Sequence, residues 1–143
     1  MKEQITLLSK LAHVRGKRVR EIEARVVYQR NRCQHYRDNI AGLTRLCNFT
    51  AEMRTSMQRH NQQHYKATLH KMMELQQREL AAAENALARL ERELQAALRH
   101  EKVVTNAVDA RRAEWSRTLA KQEQKYRMVW PSRPGGNTRL RER

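Results

Sequence analysis

The chain has 143 residues, of which 39% are apolar and 5% aromatic, and 30 basic against 15 acidic residues give it a formal charge of +15. This apolar content is thin for a compact globular core and suits an elongated molecule that buries a narrow seam. No run of about 18 apolar residues is present to span a membrane, the opening residues hold no stretch of signal-peptide character, and the positive excess calls for an acidic partner surface, whether protein, nucleic acid or anionic lipid.

The first predicted element is a long helix over residues 3–57. Gly16 and Gly42 are the only glycines ahead of the C-terminal stretch that holds Pro131 and Pro134, so a sheet-rich fold lacks the turn residues it needs. Ala, Leu, Arg, Lys, Glu and Gln dominate, and all are good helix formers. Alternating steps of three and four from Ile5 meet Leu8, Ala12, Arg15, Val19, Ile22, Val26, Gln29, Cys33, Tyr36, Ile40, Leu43 and Cys47, a heptad seam that admits Arg15 and Gln29 among its apolar members. Cys33 and Cys47 fall on that seam, where a reduced thiol acts as a small hydrophobe, and their spacing fits neither a disulfide framework nor a zinc site.

A polar stretch, TSMQRHNQQ, interrupts the periodicity and predicts a turn at about 58–62. The second helix is then expected over 63–129, with its own seam through Leu69, Met73, Gln76, Leu80, Ala83, Leu87, Leu90, Leu94, Ala97, Glu101, Val104, Val108, Arg111 and Trp115. Folded back on each other, the helices set Ile40 near Leu80 and Val19 near Arg99. The competing architecture is one unbroken helix that dimerises. Residues 130–143, WPSRPGGNTRLRER, mix proline, glycine and charge without periodicity and describe a disordered basic tail. The fold class expected is therefore all-α, a long antiparallel two-helix coiled-coil hairpin over 1–129 followed by that tail.

Charge is uneven along the chain. Residues 1–50 carry 11 basic and 4 acidic residues, 51–100 carry 8 and 6, and 101–143 carry 11 and 5. A hairpin lays the first and last thirds side by side, so the clusters Arg15, Lys17, Arg18, Arg20 and Arg111, Arg112, Arg117, Lys121, Lys125, Arg127 form one basic column, unless they are ordinary solvated faces. Near the turn, Leu46, Phe49, Met53, Tyr65, Met72 and Leu75 lie off the seam and either form a docking patch or thicken the core. His60 and His64 share a helix face at metal-ligand spacing, but no acidic or thiol ligand accompanies them. With no phosphate-binding glycine loop and no concave site, neither an enzyme nor a cofactor protein is expected.

The segments ITLLSKLAHVRGKRV and RCQHYRDNIAGL in the first helix, NQQHYKATLHKM opening the second, and Trp115 late in it resemble the FliJ family of flagellar type III export proteins, together with YscO-type injectisome relatives, over most of residues 5–120. The resemblance implies a cytoplasmic coiled coil, peripheral to the membrane-embedded export apparatus and similar to the central stalk of rotary ATPases. Family members insert the end bearing both termini into the hexameric export ATPase (FliI type), promote ring assembly, and contact the export gate protein (FlhA type) and export chaperones. Carried over by position, the gate-docking stripe is Asn39, Leu43, Leu46, Thr50, Tyr65, Leu69, Met72 and Gln76. The ATPase-ring contact is then expected at Arg15, Lys17, Arg18, Arg111, Arg112, Lys121 and Lys125. Family members often carry aromatic or glutamine side chains where this chain has Asn39, Leu46 and Thr50.

Two other classes compete. A nucleic-acid-binding coiled coil would exploit the charge, but Glu21, Glu23 and Glu114 dilute it and no contiguous basic region precedes the seam. A membrane-surface helix would need a broad aromatic and leucine face that this sequence lacks.

Overall fold

The computed structural model describes residues 1–49 and 55–129, and within them the chain is two long helices, α1 (Lys2–Asn48) and α2 (Ser56–Val129), packed together with no strand. The all-α two-helix hairpin is the architecture, and the single unbroken helix is not. None of the described helices is long and apolar enough to cross a membrane. The described residues divide into two units: one within Lys17–Leu98, and the other Met1–Gly16 with 99–129.

In the first of these units the helices run in opposite directions. Arg18 meets Glu93, Arg30 meets Glu91, Arg37 meets Glu84, Asn39 meets Gln76 and Cys47 meets Met73. The predicted seam is the core: Val19, Ile22, Val26 and Cys33 of α1 are buried, as are Leu69 and Ala83 of α2. Ile22 and Cys33 are 1% and 0% exposed. An apolar side chain buried this completely contributes about 1.5–3 kcal/mol. The polar seam residue Gln29 is buried too, and its Nε2 donates to the Ala83 carbonyl at 3.0 Å, so its amide is satisfied across the helix pair. Both cysteines are free thiols, and the Cys47 thiol donates to Met73 Sδ at 3.7 Å.

The second unit is more lightly packed. Among its described residues Val108 is the buried hydrophobic side chain, while Ile5, Leu8, Ala12, Val104 and Trp115 are half-buried. Gly16 is buried where the heptad had placed Arg15, which is exposed, as is Arg111. A guanidinium at a seam position escapes to water because nothing in the seam neutralises it. From Lys121 to Val129 every residue of α2 is exposed.

The connection between the helices lies elsewhere than expected. α1 stops at Asn48 rather than near 57, and residues 58–62, expected as the turn, are inside α2, which begins at Ser56 rather than 63. The reason is a reciprocal cap: Gln58 N–H donates to Thr55 Oγ1 at 3.1 Å, and Thr55 N–H donates to Gln58 Oε1 at 3.2 Å. Thr55-Ser56-Met57-Gln58 is thus a capping box, which satisfies two of the amide donors a helix start leaves bare. At the other end, Phe49 N–H is shared between the Arg45 carbonyl at 3.1 Å and the Leu46 carbonyl at 3.3 Å. Met53 and the expected tail at 130–143 lie outside the described residues.

Candidate functional site

On α1, Asn39, Gly42, Leu43 and Leu46 recur at helical spacing and share one face. With Asp38, and with Met72 and Gln76 of α2, they line a shallow groove of about 380 Å3. Gly42 leaves open space in its lining, since a Cβ there would meet only the Arg45 guanidinium at 3.9 Å. Asn39 Nδ2 donates to Gln76 Oε1 at 3.1 Å, fastening the two helices beside the apolar surface. Leu46 and Met72 stand 49% and 48% exposed and give the groove its apolar lining with Leu43.

Five of the residues expected to dock the gate, Asn39, Leu43, Leu46, Met72 and Gln76, therefore come together in one groove. Tyr65 is exposed but outside that lining. Leu69 is 4% exposed and packs in the core, so it offers a partner no surface; its place on the α2 seam is the physical reason. Thr50 lies outside the described residues. Asp38 and Gly42 are new members of the set, and a glycine inside a long helix was the available signal for the second. The off-seam residues Leu46, Phe49, Tyr65, Met72 and Leu75 are all exposed, so they do not thicken the core.

The basic residues differ in how much of their charge is already matched. Arg18 is bound to Glu93 at 2.7 Å and lies 3.8 Å from Glu21, and Arg111 pairs with Glu114 at 3.4 Å. Arg112 donates to Ser9 Oγ at 3.3 Å and so ties α2 to α1. Arg15, Lys17, Lys121 and Lys125 are exposed, and no ion pair holds them among the described residues. Lys121 and Lys125 line a shallow groove of about 440 Å3 with Thr118, Gln122, Gln124 and Met128. Arg15, Arg111, Arg112, Lys121 and Lys125 belong to one unit, Lys17 and Arg18 to the other. Off-seam apolar residues also occur away from the turn: Leu7, Leu11 and Val14, spaced by four and three, are exposed on the same helix as the basic residues of α1.

The flagellar FliJ protein family model matches residues 4–127. The chain belongs to the FliJ family. No curated protein and no solved structure gives a significant match to it. A FliJ-family chain is a component of flagellar type III protein export, and the family is non-catalytic. The grooves on this member are open to solvent rather than enclosed.

Proposed function

We propose that this FliJ-family chain is the central stalk of the hexameric export ATPase (FliI type), promotes its assembly, and links it to the export gate protein (FlhA type) and to export chaperones. The observation that supports the reading is the groove of Asn39, Leu43, Leu46, Met72 and Gln76, in which both helices supply residues that the resemblance assigns to gate docking. A side chain from the gate that fills it would cover Leu46 and Met72, with the Asn39–Gln76 amide pair at its polar edge. Attraction to the ATPase ring is electrostatic and falls to Arg15, Lys17, Lys121 and Lys125, which no ion pair holds among the described residues, together with Arg111 and Arg112. The protein acts in the cytoplasm, at the periphery of the membrane-embedded apparatus.

The test is the activity of the cognate ATPase over a range of enzyme concentrations, with and without the purified chain. Stimulation is expected to be greatest where hexamers are scarce and to weaken as salt rises. The double variant Arg111→Glu, Arg112→Glu should lose stimulation, whereas Leu46→Asp should lose gate binding and keep it. Equal ATPase activity with and without the chain at every concentration would refute the stalk assignment, and identical behaviour of the two variants would refute the separation of surfaces.

A further inference from the structure

We infer that the α1 surface from Tyr28 to Tyr36 docks an acidic segment of a partner protein, with a carboxylate on Arg32 and an apolar side chain on Tyr28. The starting point is a charge imbalance between the two helices of the Lys17–Leu98 unit. Its α1 portion, 17–48, carries 8 basic and 3 acidic residues, while the α2 portion, 56–98, carries 6 and 5. Among the described residues the three ion pairs between the helices run one way, from Arg18, Arg30 and Arg37 of α1 to Glu93, Glu91 and Glu84 of α2.

Arg32 makes no ion pair among the described residues, although Glu79 of α2 is near enough to favour its charge. Its Nη2 donates instead to the Tyr36 hydroxyl at 3.2 Å, and its guanidinium carbon lies 5.9 Å from the Tyr36 ring centre. The hydrogen bond to Tyr36 is also the main reason its pKa is raised, for a guanidinium that is charged at any working pH. A cation held in place by a neutral phenol keeps its remaining N–H donors available, and the geometry is set before a ligand arrives. Around it, Tyr28, Asn31, His35 and Tyr36 complete a shallow groove of about 240 Å3. Tyr28 is 65% exposed, and the His35 ring leans on Tyr36 at 6.3 Å between ring centres. Tyrosine and arginine set side by side are the residue types that carry binding energy at protein interfaces. A carboxylate accepting from Arg32 would form the charge-assisted bond that Arg18, Arg30 and Arg37 already make across the helix pair.

Nucleic acid fits this face less well. A phosphate chain needs a succession of cations, and this groove supplies one permanent charge. Tyr28 and Arg32 are one helical turn apart, about 6 Å along the axis, which matches an acidic and an apolar residue three or four apart on a partner helix. The inference does not rest on the stalk reading and concerns residues outside the Leu46 groove.

The test uses the isotope-labelled full chain and two helical peptides on an alanine-rich background, one with Glu and Phe four residues apart and one with Lys replacing Glu. An oligothymidine is titrated in parallel, and backbone amide shifts are the readout. The Glu–Phe peptide should move the amides of Tyr28, Asn31, Arg32 and His35. Arg32→Ala and Tyr28→Ala should each weaken it by about fivefold or more, whereas Arg30→Ala, whose partner is Glu91, should change it by less than about twofold. The inference is overturned if the Lys peptide binds as well, if shifts centre elsewhere, if Arg30→Ala costs as much as Arg32→Ala, or if the oligothymidine binds this face more tightly than the peptide.

Discussion

Gln29 offers the sharpest check on how the seam holds together. Its side chain is 7% exposed and bonds the backbone carbonyl of buried Ala83 across the helix pair. That carbonyl lies within continuous α2, so its second lone pair keeps its own helical bond when Gln29 is replaced. Gln29→Leu therefore strands no polar group. It loses a bond with a net value of about 0.5–1.5 kcal/mol and gains apolar burial of similar size, so the stability change should stay within about 1 kcal/mol of zero. Gln29→Ala loses the same bond and leaves a void, at about 2 kcal/mol. Gln29→Glu places a carboxylate against a carbonyl oxygen in a dry seam and should cost about 3 kcal/mol near neutral pH. Urea unfolding followed by circular dichroism at 222 nm gives all three values. A leucine variant as damaged as the alanine variant would show that the hydrogen bond, and not volume, sustains this layer, and the reasoning would fail.

Two further outcomes follow from the connector and the helix-to-helix ion pairs. Thr55→Ala removes one half of the capping box and should cost about 1 kcal/mol in the same unfolding assay, with faster hydrogen exchange at the Gln58 amide that Thr55 Oγ1 accepts from; unchanged exchange there would mean the cap does not set the start of α2. Arg18→Ala breaks the 2.7 Å bridge to Glu93, yet both side chains are more than 40% exposed, so the loss should be under about 1 kcal/mol and shrink further in 1 M salt. A loss that ignores salt would point to packing of the arginine stem instead.

The buried layer was legible in the sequence because heptad periodicity is carried by side-chain identity. Val19, Ile22, Val26, Gln29 and Cys33 were all on the predicted seam, and all are buried. Leu69 shows the limit of position alone: it was assigned both to the seam and to the docking stripe, and burial leaves it only the first role. The turn was misplaced because polar, glycine-free residues at 58–62 read as a break in apolar periodicity, although such residues form helix readily when nothing needs to cover them. The register set by Cys47 against Met73 would centre a symmetric turn near residue 60, but the cap at Thr55 starts α2 earlier. The Thr55–Gln58 capping box, not part of the sequence reading of TSMQRHNQQ as a turn, outweighs symmetry.

By itself the sequence determined that this chain is helical, that its two seams are apolar, and that its charge is positive, since each of these is a sum over residue types and spacings. The tertiary structure decided which arginines are neutralised, where α1 ends relative to α2, and which apolar residues gather into a groove. Those outcomes depend on the register of one helix against the other, and register is settled by contacts between residues dozens of positions apart, such as Gln29 with Ala83 and Asn39 with Gln76.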